Sequence, residues 1–147
     1  MAKIKIDTDE LICSMENHSD YMSYYLNKET GEIITISEEL DLIEDEEINE
    51  KIDEEPERFI YIEPIDSSES FRIMEDFIFK LPDGKAKNQL EYAISKSKPF
   101  RRFKDKLYEY PDIREMWYKF HAQEMKKEAN EWLLDNKIEA ELLPLPY

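Results

Sequence analysis

The chain has 147 residues, and its 36 Asp and Glu outnumber 20 Lys and Arg, giving a formal net charge of −16. The length suits one domain, and 41% hydrophobic residues can build a core, which excludes wholesale disorder. No apolar run approaches the about 18 residues of a membrane span, and the N-terminus lacks a secretory apolar region. The single cysteine, Cys13, excludes an internal disulfide and a multi-cysteine zinc site. We therefore expect a cytoplasmic protein.

The first third of the chain predicts a short helix and a small antiparallel sheet. A strand stub in KIKI precedes a helix over roughly 8–17, which Asp7 or Thr8 can cap. Segments 20–27 and 32–37 are rich in β-branched and aromatic residues, and Gly31 supplies the positive φ of a tight loop, so they predict a β-hairpin. Residues 58–63, RFIYIE, predict a third strand.

An acidic segment, residues 38–57, separates the hairpin from the third strand. It contains 12 acidic residues and a single base, Lys51. Its thin apolar stripe is compatible with a helix, but neighbouring carboxylates repel one another and make such a helix marginal by itself. Two interpretations therefore stay open for this segment, an acidic helix and a mobile loop.

From residue 66 onward the pattern is helical. Helices are predicted over 66–81, over about 85–96, from Pro99 onward and over 112–136, with a capping box of Asp66 and Glu69 at the first. An extended tail, 138–147, follows. The prediction is an α+β fold within a single domain, with an α/β portion at 1–64 and a helical portion of about four helices at 65–137.

The last predicted helix has two apolar stripes that lie roughly 150° apart on an ideal helix. Such a helix either bends or buries its two halves against different neighbours. An alternative interpretation is a subunit interface built by Met125, Trp132 and Leu133, which would make the protein a homodimer. The first stripe is Ile113, Met116, Trp117 and Phe120, and the second is Met125, Ala129, Trp132 and Leu133.

Four blocks resemble the signature blocks of a bacterial uncharacterised protein family in the UPF series. The blocks are YYLNKETGE at 24–32, RIMEDFI at 72–78, PFRRFKDKL at 99–107 and WYKF at 117–120. The resemblance covers about residues 5–140. It implies a fold and a bacterial cytoplasmic compartment, and it carries no established activity.

Catalytic and metal-binding patterns are absent from the sequence. Two glycines cannot build a phosphate-cradling loop, and neither G-x-S-x-G nor H-E-x-x-H occurs. His18 and His121 have no metal-ligand spacing, and Cys13, beside an apolar stripe, is expected to be buried and inert. We therefore predict no catalytic residues, no metal and no cofactor. An enzyme of unrecognised type stays an alternative.

The block FRRFK at 100–104 is the most informative cluster in the sequence. Phe100 and Phe103 are predicted to anchor a helix, while Arg101 and Arg102 fall in its first turn. Cations there face the positive end of the helix dipole, at a cost of a few tenths to about 1 kcal/mol each, so a counter-charge is expected. Three sources stay open: carboxylates of this chain, an external anionic partner, or solvent alone.

The sequence thus favours a non-enzymatic binding or regulatory module. Its candidate anion-binding or partner-binding residues are Lys98, Arg101, Arg102, Lys104, Lys106, Trp117 and Tyr118. The expected partner is an acidic protein surface or a nucleic acid, with no membrane involved. The alternative is an acidic interaction module that uses segment 38–57 to contact a basic partner.

Overall fold

The computed structural model describes residues 3–18, 21–37 and 43–144. Within these ranges the fold is α+β, as predicted, with six helices, a three-stranded antiparallel sheet and a parallel strand pair. The chain divides into two compact units, Met1–Ile65 with Lys126–Tyr147, and Asp66–Met125. The elements are β1 (Ile4–Ile6), α1 (Thr8–Glu16), β2 (Met22–Asn27), β3 (Ile33–Ser37), α2 (Ile43–Glu54), β4 (Phe59–Tyr61), α3 (Ser67–Lys80), α4 (Lys85–Ile94), α5 (Pro99–Leu107), α6 (Pro111–Asp135) and β5 (Ala140–Leu142).

Helix α1 begins where the sequence predicts. Asp7 is the N-cap, and its side chain accepts a hydrogen bond from the backbone N–H of Glu10 at 3.1 Å. This bond satisfies one of the N–H groups that a helix start leaves without an intrahelical partner. The apolar side chains of this helix are buried, and they are Leu11, Ile12 and Met15.

The predicted hairpin and third strand form one antiparallel sheet with the order β3-β2-β4. Tyr25 on the central strand lies opposite Ile34 on one side and Tyr61 on the other. The rings of Tyr25 and Tyr61 lie 5.5 Å apart. The sheet buries side chains on both faces, with Leu26 and Ile33 on one face and Ile36 and Phe59 on the other.

The hairpin loop requires glycine at position 31 for two reasons. Gly31 has a φ of 82°, a left-handed conformation that residues with a Cβ rarely adopt. A Cβ at this position would also lie within 2.2 Å of the backbone oxygen of Lys5. The loop is closed by Gly31 N–H, which donates to the Asn27 carbonyl oxygen at 2.8 Å.

The two ends of the chain form a parallel strand pair. Ile4 is opposite Ala140 and Ile6 is opposite Leu142, and the backbone N–H of Leu143 donates to the Ile6 carbonyl oxygen. The hydroxyl of Thr8 donates to the carbonyl oxygen of Leu143. The tail expected to be extended therefore contains a strand, which the sequence did not reveal because each partner has only three residues.

The acidic segment 38–57 contains helix α2, which supports the helical interpretation for Ile43–Glu54. Residues 38–42 lie outside the described residues. On the helix, Glu46, Glu47, Glu50 and Asp53 are exposed. The acidic side chains therefore remain in water, where their mutual repulsion is weakest.

In the second unit, α3 and α5 each pack against α4. Helix α3 buries an apolar face, which consists of Ile73, Met74, Phe77 and Ile78. Asp66 is its N-cap, but the Asp66 side chain makes no capping hydrogen bond, so the predicted capping box is wrong in that detail. Arg72 pairs with Asp76 at 2.6 Å, and Glu69 binds the same guanidinium at 3.0 Å.

Helix α6 contributes residues to both units. Its first half buries Trp117 in the second unit, and its last turns bury Ala129 and Leu133 in the first unit. This agrees with the interpretation that the two halves bury different faces. Met116, which the sequence places on the first stripe, is 49% exposed.

We expect Gly31→Ala to destabilise the protein by at least about 2 kcal/mol, because the left-handed φ and the contact with Lys5 both oppose a Cβ. Urea unfolding followed by circular dichroism measures the change. Gly84→Ala is the matched control, since nothing lies within 4 Å of its added Cβ. Equal stability losses in both variants would contradict the role assigned to Gly31.

Candidate functional site

The candidate site is built on α5, whose start is fixed by two residues. Lys98 is the N-cap and has a left-handed conformation, with φ 54° and ψ 55°. Pro99 follows at the first helical position, where its fixed φ suits the helix and its missing N–H is not needed. No acidic residue lies in the first turn, and no side chain caps it.

The inner face of α5 is anchored in an aromatic cluster. Phe103 is buried, and its ring lies 6.5 Å from that of Phe77 and 4.8 Å from that of Trp117, in edge-to-face arrangements. Leu107 is buried one turn later. The predicted anchoring role is confirmed for Phe103. Phe100 is 39% exposed and meets the ring of Phe71 only at its edge, 6.4 Å away.

The cations of α5 lie on its outer side in two rows. Arg102 and Lys106 are four residues apart, so they share one face of the helix. They line an open groove between α4 and α5, together with Tyr92 and Lys96. Arg101 and Lys104, three residues apart, form the second row, and both are exposed.

Two of these cations have partners on neighbouring turns. Arg102 Nε donates to the Ser97 carbonyl oxygen at 2.7 Å. Lys106 Nζ lies 2.7 Å from a carboxylate oxygen of Glu109, and this hydrogen bond raises the pKa of Lys106. Throughout residues 3–18, 21–37 and 43–144, no carboxylate lies at ion-pair distance from Arg101, Arg102 or Lys104.

The two aromatic residues proposed for the site have different environments. Trp117 is buried among Phe77, Phe103 and the ring of His121, so its faces are occupied by the core. Tyr118 is 52% exposed. Trp117 thus supports the site from beneath, whereas Tyr118 stays available at the surface.

Sequence reasoning missed one aromatic residue of the groove, Tyr92. It is 65% exposed on α4, and the ammonium group of Lys96 lies 4.7 Å from its ring centroid. The signal was present in the sequence, because Leu90 and Ala93 point inward and Tyr92 falls on the opposite side of the same helical wheel. Because Tyr92 is on a different helix from FRRFK, the sequence alone did not show that its ring lies in the same groove as Arg102.

The residues proposed for a subunit interface are mostly enclosed by the chain itself. Met125 and Leu133 are buried, and Trp132 is half-buried. A second copy could therefore reach Trp132, but it could reach the other two only after a local rearrangement. The homodimer stays a prediction.

No group of three or more metal-binding side chains occurs among the residues that the structure describes. Nor does any described helix combine the length and the apolar character needed to cross a membrane. The ring of His121 lies against that of Trp117, with the centroids 5.1 Å apart and the ring planes tilted by 34°.

Fold and surface together define an α+β protein with a strongly acidic first unit and a helical second unit that presents clustered cations. The model of an uncharacterised protein family, UPF0158, matches residues 1–143, and the chain belongs to this family, as the sequence blocks predicted. It is 32% identical to the UPF0158 protein PA5073 of Pseudomonas aeruginosa, over 95% of this chain and 88% of that protein.

A second relative is the UPF0158 protein of Chlamydia muridarum. It is 22% identical, over 88% of this chain but only 39% of that protein's length. No solved structure matches the chain.

We expect Phe103→Ala to cost about 3–5 kcal/mol of unfolding free energy, because the substitution leaves a cavity between two aromatic rings. Phe100→Ala should cost less than about 1.5 kcal/mol, because that ring is already partly in water. Urea denaturation compares the two, and Phe103→Leu provides a milder variant if the first does not fold. Equal costs at the two positions would contradict the anchoring role of Phe103.

Cys13 is exposed on α1, so the expectation that it is buried is wrong. Local desolvation and the nearby carboxylates of Asp9 and Glu16 raise the pKa of its thiol. Less thiolate is then present at a given pH, and the thiolate is the reactive form.

We expect Cys13 to react with a disulfide reagent more slowly than glutathione at pH 8, and Asp9→Asn to accelerate the reaction. A wild-type rate equal to that of glutathione would contradict this.

Proposed function

We propose that this protein is a non-enzymatic binding module that recognises an anionic partner through α5 and the adjoining end of α4. The α5 basic surface, as we name it, consists of Lys96, Lys98, Arg101, Arg102, Lys104 and Lys106. One observation carries the proposal: cations gather on α5, with Arg101 and Arg102 in its dipole-positive first turn and Lys104 and Lys106 in its last turn, and no described carboxylate pairs with Arg101, Arg102 or Lys104.

The fold does not need these cations. The inner face of α5 is held by Phe103 and Leu107, whereas the cations of the first turn oppose the helix dipole. Arg102 offsets part of this cost by donating to the Ser97 carbonyl oxygen. An external anion would offset the rest, because it can bind the guanidinium groups and lies at the favourable end of the dipole.

The charge of this surface is opposite to that of the whole protein. Residues 84–107 hold eight Lys and Arg against two Asp and Glu, within a chain of net charge −16. An anionic partner is therefore repelled at long range and attracted only near α5. Binding should be local, moderate in strength and strongly dependent on salt.

The acidic segment 38–57 offers an alternative binding surface, because α2 presents exposed carboxylates. Runs of like charge are ordinarily solvated, so the exposed carboxylates of α2 do not by themselves call for a partner. We therefore place the primary contact on α5. A cytoplasmic location belongs to the same proposal.

We expect the wild-type protein to be retained on immobilised heparin, a polyanion, at an ionic strength of about 0.01 M and to elute as salt is added, because salt screens the α5 basic surface. The double variant Arg101→Glu, Lys104→Glu should elute without retention, since it reverses the row of cations that has no ion-pair partner. The measurement is the salt concentration at elution.

The matched control is Lys119→Glu, Lys126→Glu, which makes the same change in net charge at exposed positions of α6. It should elute close to the wild type. Failure of the wild-type protein to bind heparin at low salt would overturn the proposal, and so would equal effects of the two double variants.

A further inference from the structure

The groove between α4 and α5 contains an aromatic ring, an amide and carboxylates in addition to its cations. It is open, has a volume of about 380 Å³, and is lined by Gln89, Tyr92, Ala93, Lys96, Arg102, Asp105, Lys106 and Glu109. Along α4 it adjoins a second open groove that shares Gln89, Tyr92 and Lys106 and extends to Lys85. Tyr92 and Lys106 therefore stand where the two grooves meet.

Among the cations of the groove, Arg102 has its guanidinium held at one nitrogen. The Nε of Arg102 is held by the Ser97 carbonyl oxygen, which leaves the terminal nitrogens of the guanidinium with four N–H donors. Lys106 lies one turn further along the same face of α5, paired with Glu109 at 2.7 Å, and Lys96 also lines the groove. A planar guanidinium held in this way can donate two parallel hydrogen bonds to phosphate oxygens.

Tyr92 supplies a flat, accessible ring between these cations. The ring is 65% exposed, and the ammonium group of Lys96 lies over one of its faces, 4.7 Å from the centroid. A nucleobase stacked on this face would release Lys96 toward a neighbouring phosphate. Base stacking on an exposed aromatic ring contributes about 1–3 kcal/mol per base.

The groove also contains hydrogen-bond acceptors, which select among anionic partners. Asp105 and Glu109 carry carboxylates that accept hydrogen bonds but cannot donate them. Gln89 has its side-chain oxygen occupied by the hydroxyl of Tyr110, which donates to it at 2.5 Å. The amide nitrogen of Gln89 therefore remains as a donor. A nucleobase presents donors as well as acceptors along its edge and can therefore bind these carboxylates, whereas the ionised side chains of an acidic peptide can only accept hydrogen bonds.

From these observations we infer that the groove between α4 and α5 binds single-stranded nucleic acid, with phosphates on Lys96, Arg102 and Lys106 and one base stacked on Tyr92. The inference rests on the proposed function, because it identifies the class of anionic partner at the same surface. A single strand is required, since the bases of a duplex are stacked on one another and cannot reach a tyrosine ring.

The test uses the full chain and fluorescein-labelled probes, namely a 12-nucleotide single-stranded RNA and DNA, the matching 12-base-pair duplex, and polyglutamate. Fluorescence anisotropy at low ionic strength gives each dissociation constant. We expect a single strand to bind at least about tenfold more tightly than the duplex or polyglutamate. Tyr92→Ala should weaken single-strand binding by about 5- to 150-fold, the loss of one stacked base.

Two variants separate stacking from other effects. Tyr92→Phe keeps the ring and should stay within about twofold of the wild type. Phe79→Ala removes another exposed ring of the same unit, which is 80% exposed and is paired with Lys87, and it should leave binding unchanged. Arg102→Gln should weaken binding and lower the slope of log affinity against log salt by about one, because one phosphate contact is lost.

The outcomes distinguish this inference from the function on which it rests. If the duplex or polyglutamate binds as tightly as the single strands and Tyr92→Ala has no effect, the inference is overturned while the basic surface stands as an anion site. If Tyr92→Ala and Phe79→Ala weaken binding equally, specific stacking on Tyr92 is overturned. If no polyanion binds at low salt, both proposals fail.

Discussion

The cationic face of α5 depends on the burial of one side chain on the opposite face, that of Phe103. A helix of nine residues is too short to persist alone in water, so tertiary packing must hold it. Phe103 provides this packing through edge-to-face contacts with Phe77 and Trp117. Once this ring is fixed, the helical repeat determines where Arg101, Arg102, Lys104 and Lys106 lie, and the left-handed Lys98 with Pro99 determines where the helix begins.

The charge of the chain is divided between its two compact units. The first unit contains 25 Asp and Glu against 8 Lys and Arg, whereas the second contains 11 against 12. The net charge of −16 is therefore a property of the first unit, and it says little about what the second unit binds. The net charge of the whole chain does not indicate the basic surface of the second unit, whereas the charge counted for each unit does.

Local patterns in the sequence were sufficient for most of the fold. The helix capped by Asp7, the hairpin around Gly31 and the helix starting at Pro99 each follow from signals within a few residues. The pairing of β1 with β5 did not follow, because two three-residue strands far apart in sequence carry no mutual signal.

For the candidate site, the sequence was sufficient to predict the cluster of cations in FRRFK. The burial of Trp117 and the nearness of Tyr92 depend on how separate helices pack, which a single sequence does not encode locally.

The strand pair formed by the two ends of the chain affects how the protein is made. The first unit is interrupted in sequence, since residues 66–125 lie between its two parts, and β1 finds its sheet partner only in residues 140–142. During synthesis on a ribosome, the helices of the second unit emerge before that partner exists. Strand β1 therefore lacks this partner until residues 140–142 have been translated.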